Sequence, residues 1–320
     1  MQDIGRVAVL YGGVSPEREI SLKSGRKVFD ALSAAGIDVS LIDVSCDLIE
    51  RLQSLQPDRV FMAMHGAQGE DGTIQAILDF LDIPYTGSGV RGSAIAMDKC
   101  RSKMLWRSIN LPTPDFQLVD GTADIDTLSV NLPCFVKPNC QGSSIATFAA
   151  HSRSECAEAV AKAARCSDEV LIEKLIEGEE FTVAIVNDQP LPVIRLETDR
   201  AFYDYDAKYA SADTLYHLPC GLTAEQEHDM QELALAAFHS VGCSSWGRVD
   251  IMRDTDGNNW LLEVNTTPGM TDHSLVPMAA KATGYEFEEL VIALLRASSG
   301  ERQSWMLNST RLATGCVKNA

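Results

Sequence analysis

A predicted hairpin near the C-terminal end, at 246–265, constrains the fold more than any other segment. Two alternating apolar runs flank Asp256-Gly257, a residue pair typical of a two-residue hairpin turn. A turn at that point fixes which residues face each other, and side chains two apart on a strand share one face. The pattern predicts a polar face with two cross-strand pairs, Asp250 with Glu263 and Arg248 with Asn265.

This polar face has the composition of a metal site. Two facing carboxylates, Asp250 and Glu263, repel each other unless a cation lies between them. Oxygen ligands that include an amide, here Asn265, suit Mg²⁺, which also takes phosphate oxygens and water. An exposed hairpin whose polar face is simply hydrated is the alternative. The opposite face is predicted to be core, formed by Val249, Ile251, Leu262 and Val264.

Length and charge narrow the class of protein. A chain of 320 residues is too long for one compact core and natural for two or three domains. A net charge of −18 argues against nucleic acid and anionic membrane surfaces as partners, because both need clustered Lys and Arg. Nine scattered cysteines lack zinc-site spacing, and no apolar run reaches bilayer length. The sequence therefore predicts a soluble, cytoplasmic protein with free thiols.

The first ninety residues alternate strands with helices, a pattern typical of a parallel sheet. Buried strands are predicted at 6–11, 39–43 and 59–64. Because ligands bind at the carboxyl ends of parallel strands, the loops at 12–17 and 65–72 form one candidate site. Glu17 and His65 are its candidate residues. Both also have a structural interpretation, since a glutamate at a helix start complements the dipole and a histidine after a strand is often only a satisfied polar group.

A second candidate site follows the predicted strand at 133–137. Gly142-Ser143-Ser144 offers consecutive backbone amides and two hydroxyls in a flexible turn, which suits phosphate. Lys137 on the adjoining strand adds a point charge. A plain polar hairpin turn is the alternative.

A third candidate site begins at a short charged connection that resembles a hinge between two lobes. Backbone groups of 174–176 are candidates to read an adenine edge, and Glu180 is a candidate to accept from ribose hydroxyls. An acidic, solvated linker is the alternative. The segment 202–213 has no clean periodicity, so we interpret it as a long loop that folds over a site, with Lys208 and Tyr209 as its working residues.

Seven short motifs stand in a fixed order along the chain, at 12–22, 65–72, 85–89, 97–99, 137–144, 203–209 and 247–277. Each is weak alone, but their order is highly specific, and by it the chain resembles the D-alanine–D-alanine ligase family of the ATP-grasp superfamily. The resemblance spans about residues 5 to 300. It implies an α/β fold with α+β lobes, in three ATP-grasp domains: an N-terminal parallel-sheet domain at 1–90, a lid at 91–173 and a metal-binding domain at 174–304. The tail at 305–320 is predicted to be disordered.

The resemblance also implies an activity. Members of this family join two D-alanine molecules with ATP, through an acyl phosphate, to make D-alanyl-D-alanine for peptidoglycan precursors. The expected cofactors are ATP and Mg²⁺, with two metal ions and Mn²⁺ as a substitute, and the expected assembly is a homodimer. Neither nucleic acid nor a membrane is an expected partner.

Site residues are carried over on the same resemblance. Catalytic roles fall to Glu17, Ser143, Tyr209, Arg248 and Gly269. D-Alanine binding falls to Glu17, His65, Ser274 and Leu275. ATP binding falls to Lys99, Lys137, Ser144, Glu173, Lys174, Ile176, Glu180 and Lys208. Metal binding falls to Asp250, Glu263 and Asn265.

The resemblance assigns specific roles to several of these residues. Arg248 and the Gly269 amide would hold the oxyanion, whereas Glu17 would bind the first substrate's ammonium. Ser274 and the Leu275 amide would bind the second substrate's carboxylate.

Two departures from the family pattern concern the phosphate loop. Ala146 stands where a glycine commonly ends the loop, and Cys140-Gln141 replace more usual polar residues.

The sequence leaves three alternative functions. A D-lactate or D-serine ligase is the nearest, and a nucleotide-binding protein with a decayed site is another. A dinucleotide-binding oxidoreductase is disfavoured, because 11–16 lacks the glycine spacing of that fold.

Overall fold

Three β-sheets organise the chain in a computed structural model that describes residues 4–122, 125–143, 145–198 and 214–298. The predictions for Ser144, Lys208, Tyr209 and the tail at 305–320 lie outside these residues. No helix of the described segments combines the length and apolar character needed to cross a bilayer.

The first sheet is parallel, with the strand order β2–β1–β3, and matches the predicted alternation. Its strands are β1 (Val7–Tyr11), β2 (Val39–Asp43) and β3 (Arg59–Met62). Its helices are α1 (Arg18–Ala34), α2 (Leu48–Leu55) and α3 (Thr73–Phe80). The prediction that β2 is buried was wrong for most of the strand, because β2 lies at the sheet edge and only Ile42 is fully covered.

The second sheet is antiparallel, in the order β4–β7–β5–β6. Its strands are β4 (Phe116–Val119), β5 (Cys134–Pro138), β6 (Phe148–Ala150) and β7 (Val170–Lys174). Helices α4 (Val90–Met97) and α5 (Lys99–Ser108) precede it, and α6 (Arg153–Ala163) packs on it. The side chain of Asp98 caps α5 by accepting from the Arg101 amide.

The third sheet is antiparallel and follows the order β11–β10–β8–β12–β13, with β9 paired to β8. Its strands are β8 (Gly178–Val186), β9 (Gln189–Pro190), β10 (Ile194–Glu197), β11 (Leu215–His217), β12 (Trp246–Asp254) and β13 (Asn259–Asn265). The other α-helices of the described segments are α7 (Ala224–Ser240), α8 (Leu275–Ala282) and α9 (Phe287–Ala297). Helix α7 packs Ala234, Ala237 and Phe238, which lie at helical spacing, into the core.

The first and third sheets share one hydrophobic core, whereas the second sheet has a core of its own. Val9 and Phe61 from the first sheet pack in one cluster with Trp246 and Leu275. This shared core brings the carboxyl ends of β1 and β3 next to the segments that follow β13. The loops predicted to form a site therefore meet across a fixed junction.

The β12–β13 hairpin confirms the predicted polar pairs and corrects the predicted turn. Asp250 pairs with Glu263 and Arg248 with Asn265. However, three residues, not two, separate Asp254 from its hydrogen-bonded partner Asn258. A bulge between Asp250 and Ile251 restores the register.

The bulge also changes which leucine lies in the core. Leu261 is fully buried, whereas Leu262, predicted to face the core, lines the cleft beside Glu263. Because a β-bulge inserts one residue into the alternation, Leu262 falls on the polar face.

Candidate active site

The hairpin's polar face is tightly organised around the carboxylate of Asp250. Arg248 donates two hydrogen bonds to it, from Nε at 2.8 Å and from a terminal nitrogen at 2.7 Å. Thr182 Oγ1 on β8 donates at 2.7 Å, and the Asn265 amide nitrogen donates at 3.0 Å. The carboxylate is therefore held in one orientation by three neighbouring side chains.

The donor set on this face fits a hard divalent cation. Asp250 and Glu263 face each other as carboxylates, and the bond from Asn265 Nδ2 to Asp250 leaves the amide oxygen as its ligand atom. All three donors are oxygens, which are the ligands that Mg²⁺ and Mn²⁺ take in proteins.

Lys99 joins this face to the loop after β5, which the sequence predicts to bind phosphate and which we call the phosphate loop. Its Nζ lies 3.0 Å from a Glu263 oxygen and donates to the Gln141 carbonyl at 2.6 Å. Burial opposes the charged form, but the carboxylate of Glu263 outweighs burial and raises the pKa of Lys99. Lys99 is thus a buried ammonium between the hairpin and the turn after β5.

A lysine that the sequence analysis missed lies one turn further along α5. Lys103 is fully buried, with its Nζ 2.8 Å from a Glu173 oxygen, and the other Glu173 oxygen contacts Lys137. Burial disfavours the carboxylate, yet the two ammonium groups prevail and lower the pKa of Glu173 to about 2. Glu173, predicted to bind the nucleotide, therefore pairs with lysines inside the protein. We call Lys99, Lys103, Lys137, Glu173 and Glu263 the lysine cluster.

The phosphate loop is anchored at its base by a buried amide. Asn139 Oδ1 accepts from the Cys100 amide at 2.8 Å, and its Nδ2 donates to Asp98 and Glu169, each at 3.0 Å. The loop thereby starts from a fixed point between α5 and β7.

The tip of this loop reaches the first sheet. Ser143 donates a hydrogen bond to the Glu17 carboxylate, so two residues to which the resemblance gives catalytic roles are in contact. Gly142 and Gly66 lie against the same carboxylate, where a Cβ would sit 2.9 Å and 2.5 Å from Glu17 Oε2. Only glycine permits so close an approach at both positions.

His65 connects the first sheet to the loop after β13. Its Nδ1 lies 2.7 Å from the Thr267 carbonyl, so Nδ1 carries the proton and donates. Nε2 then accepts from the Ser24 hydroxyl at 3.1 Å, and Ser24 accepts from the Met270 amide at 3.1 Å. Burial lowers the pKa of His65 in keeping with a neutral ring. His65 is therefore a buried connecting group beside Glu17.

Glu70, also missed by the sequence analysis, makes a second connection at this junction. Its two carboxylate oxygens accept from the Gly66 amide at 2.7 Å and from the Thr267 amide at 3.1 Å. Burial, together with the nearby charge of Glu17, raises the pKa of Glu70 to about 8. We call Ser24, His65, Glu70 and Thr267 the junction cluster.

One cavity opens beside Arg248, between α1 and the start of α8. Ser274 precedes the first turn of α8, and Leu275 begins it. The Ser274 hydroxyl accepts from the Thr271 amide at 2.8 Å, and a Cβ at Gly269 would lie 2.8 Å from it. Arg248, Gly269 and Ser274 therefore line one cavity beside the N-terminus of α8. Backbone amides at a helix N-terminus typically bind anions.

A cavity of about 480 Å³ lies between the second and third sheets. It is lined by Lys137 and Glu173 on one side, Glu263 on another, and the link between β7 and β8. Within that link, the amides of Lys174 and Leu175 donate to Asp115 and Pro133 carbonyls, at 2.8 and 3.0 Å. Neither amide is therefore the donor that reads a ligand. Ile176 and Glu180, which are predicted to bind the nucleotide, also line the cavity.

Comparisons with known proteins agree with this arrangement. The family model described as D-ala D-ala ligase C-terminus matches residues 105–296, and the one described as D-ala D-ala ligase N-terminus matches 47–88. A D-alanine–D-alanine ligase of Pseudomonas putida (strain GB-1) is 51% identical over 93% of this chain and 94% of its own length. One from Marinobacter nauticus (strain ATCC 700491 / DSM 11845 / VT8) is 53% identical over 93% of this chain and 92% of its own length.

Solved structures give the same result. The chain is similar to a D-alanine–D-alanine ligase from Bacillus anthracis, with a TM-score of 0.83 and 35% identity over 92% of this chain and 97% of that one. A structure of the Bacillus anthracis ligase complexed with ATP gives a TM-score of 0.82 and 32% identity, over the same 92% and 97%. On these matches, which confirm the predicted ATP-grasp fold, the chain belongs to the D-alanine–D-alanine ligase family.

Proposed function

We propose that the protein joins two D-alanine molecules in an ADP-forming reaction that yields D-alanyl-D-alanine. One observation carries the proposal: Arg248 lines the cavity that ends at Ser274 and the start of α8, and it donates to Asp250, which lines the cavity that holds Lys99 and Lys137. A ligase of this kind needs those two compartments, one for a triphosphate and one for an amino acid. The names of the relatives supply the substrates.

The first step is a phosphoryl transfer. The carboxylate of the first D-alanine attacks the γ-phosphate of ATP, so that a carboxyl O–P bond forms and the bond to ADP breaks. Lys99 and Lys137 would neutralise the triphosphate, which is the main contribution that protein groups make to this chemistry. Mg²⁺ or Mn²⁺, two ions by resemblance, would be held by Asp250, Glu263 and Asn265 and would supply further charge neutralisation.

The second step forms the peptide bond. The amine of the second D-alanine attacks the acyl carbon, and the resulting tetrahedral oxyanion collapses as phosphate leaves. Arg248 and the Gly269 amide line the same cavity and are the proposed donors to this oxyanion. Ser274 and the Leu275 amide would fix the second substrate's carboxylate so that its amine approaches the acyl carbon.

The first substrate would be held by Glu17. The Ser143 hydroxyl contacts Glu17, so a loop that binds phosphate is tied to the group that binds the substrate ammonium. Such a contact helps to exclude water, which would otherwise hydrolyse the acyl phosphate. The proposed contributions of Ser144, Lys208 and Tyr209 to this closure rest on the family resemblance.

The nucleotide base would lie against the β7–β8 link. Ile176 and backbone groups of Lys174 line that end of the cavity, and Glu180 is the proposed partner of the ribose hydroxyls. A homodimer, a cytoplasmic location and the domain limits 1–90, 91–173 and 174–304 complete the proposal by resemblance. Peptidoglycan precursor synthesis would use the dipeptide.

The test is the release of ADP and phosphate by the purified protein with Mg-ATP and one candidate acceptor. D-Alanine is compared with L-alanine, D-lactate and D-serine, and products are identified by mass. We expect release that requires D-alanine and yields its dipeptide. Release only when another acceptor is added would overturn the substrate assignment, and no release with any acceptor would overturn the enzymatic proposal.

A further inference from the structure

Lys103 is a buried cation held by three groups inside the protein. Its Nζ lies 2.8 Å from Glu173 Oε2 and donates to Thr113 Oγ1 at 2.8 Å and to the Leu261 carbonyl at 3.2 Å. The side chain is 0% exposed, and these three groups surround its ammonium. Lys103 therefore cannot contact a nucleotide and can act only through its neighbours.

Its most consequential neighbour is Glu173, which Lys103 shares with Lys137. Lys103 takes one carboxylate oxygen and Lys137 takes the other. Two ammonium groups and one carboxylate leave the trio with one net positive charge. Without Lys103, both oxygens would be free to bind Lys137, and the remaining pair would be neutral.

Lys103 also fixes where this trio lies relative to the hairpin. Thr113 Oγ1 donates to the Leu261 carbonyl at 2.9 Å, and the Leu261 amide donates to the Pro112 carbonyl at 2.9 Å. The same carbonyl accepts from Lys103. One side chain on α5 thus joins β7 of the second sheet to β13 of the third.

We propose that Lys103 is a positioning residue for the nucleotide phosphates, acting through Glu173 to keep Lys137 available and the cavity positively charged. The inference rests on the proposed function, because it assumes that Lys137 neutralises a phosphate group. It assigns Lys103 no contact with substrate.

The experiment is a kinetic double-mutant cycle. Lys103→Met is measured in the wild-type and in the Glu173→Gln background, with the KM for ATP and kcat determined separately. In the wild-type background we expect the KM for ATP to rise about tenfold, with a smaller change in kcat. In the Glu173→Gln background, where no carboxylate competes for Lys137, Lys103→Met should change KM by less than about twofold.

One control variant and a comparison of the two backgrounds separate this mechanism from a loss of folding. Lys162→Met removes an exposed lysine from α6 and should leave the KM for ATP unchanged. An equal rise in KM in both backgrounds would show that Lys103 acts through packing and would overturn the proposal, as would no rise in the wild-type background. If Lys103→Met alone does not fold, the double variant is compared with Glu173→Gln, and a large loss in that comparison overturns the proposal.

The proposed function is tested separately in the same series. Wild-type protein without D-alanine-dependent ADP release would show that the function is wrong. Lys137→Met with an unchanged KM for ATP would show that this lysine does not serve the phosphates. Normal values for the wild type, a raised KM for Lys137→Met and an unaffected Lys103→Met would reject only the role of Lys103.

Discussion

The junction cluster and the lysine cluster are both buried and polar, but they satisfy burial in opposite ways. In the junction cluster, burial favours the neutral forms of His65 and Glu70, and both side chains bond to backbone groups. In the lysine cluster, Glu173 is ionised between two ammonium groups. A buried polar group needs a partner in either case, but only the lysine cluster keeps its side chains ionised.

The difference matches what each cluster faces. The lysine cluster borders the cavity proposed for a triphosphate, where positive charge attracts the ligand. The junction cluster joins the first sheet to the loop after β13 through hydrogen bonds to backbone groups. Neutral hydrogen bonds can fix the position of a loop without adding charge. One site can therefore combine a charged group of residues, the lysine cluster, with an uncharged one, the junction cluster.

Removing the shared carboxylate should have the largest effect. Glu173→Gln would remove the carboxylate shared by two buried lysines, and burial already lowers the pKa of Lys103 to about 8. Breaking such a buried pair costs about 3–5 kcal/mol. We expect the free energy of unfolding, measured by urea denaturation, to fall by that amount. Lys103→Met combined with Glu173→Gln should recover part of the loss, because one of the two unpaired charges is gone. A single variant as stable as the wild type would contradict the charged description of this cluster.

Arg248 lies between the two clusters, and its loss should chiefly affect turnover. Arg248→Ala is expected to lower kcat by about 10²- to 10³-fold, the cost of removing one oxyanion donor in comparable sites. ATP binding, measured by calorimetry, should remain largely intact because Lys99 and Lys137 are unchanged. Arg248→Lys is the matched control: it keeps the charge but loses the two-point contact with Asp250. Wild-type turnover in the alanine variant would reject the oxyanion role.

The protonated, neutral state of Glu70 in the junction cluster can be tested by varying the pH. The pKa of Glu70 is raised from 4.5 to about 8, so the folded protein holds a proton that the unfolded chain releases. This contribution to stability is fully present below about pH 4.5 and is lost as pH rises through about 8, by up to about 1.4 kcal/mol per pH unit. Glu70→Gln cannot titrate there. The stability advantage of the wild type over this variant should therefore shrink between about pH 6 and about pH 8.

Urea denaturation of both proteins across that range measures the difference. Parallel pH curves would mean that Glu70 is ionised in the folded protein, and the two clusters would then be alike. Glu286→Gln, which alters an exposed capping carboxylate of α9, serves as the control for a surface group.

The sequence predicted the polar face of the β12–β13 hairpin better than the junction cluster. Alternation alone placed Asp250 opposite Glu263, because side chains two apart on a strand must share a face. The turn was mispredicted because Asp254 accepts from the Asp256 and Asn258 amides, at 3.1 and 2.7 Å, and thereby closes a longer loop. The bulge at Leu262 adds one residue to β13, so the pairs beyond it are those predicted from the shorter turn. Local hydrogen bonds of this kind are hard to read from a hydrophobic pattern.

Buried connections between distant segments escaped prediction for a different reason. Lys103 follows Lys99 at helical spacing, so a shared face of α5 was a readable signal. Its pairing with Glu173 on β7 could not be read from the sequence, because that contact depends on how α5 packs between two sheets. Glu70 belongs to a motif that the sequence analysis singled out, but its partner Thr267 lies far away in the chain.

The smallest predicted effect concerns the second substrate. Ser274→Ala removes the hydroxyl proposed to bind the carboxylate of the second D-alanine, and the loss of one hydrogen bond of about 1 kcal/mol corresponds to an approximately fivefold rise in KM. The KM for ATP should not change, since the lysine cluster is unaltered. Steady-state kinetics with D-alanine varied at saturating ATP measures both constants.

Thr271→Val separates substrate binding from loop structure. The Thr271 hydroxyl lies 2.9 Å from Ser274 Oγ, whereas the Thr271 amide would keep its own bond to that oxygen. If Ser274 acts directly on the carboxylate, the valine variant should keep a KM for D-alanine close to that of the wild type. Equal losses in the two variants would instead assign the effect to the shape of the loop before α8. The cavity beside Arg248 would then select its substrate through the backbone amides of that helix.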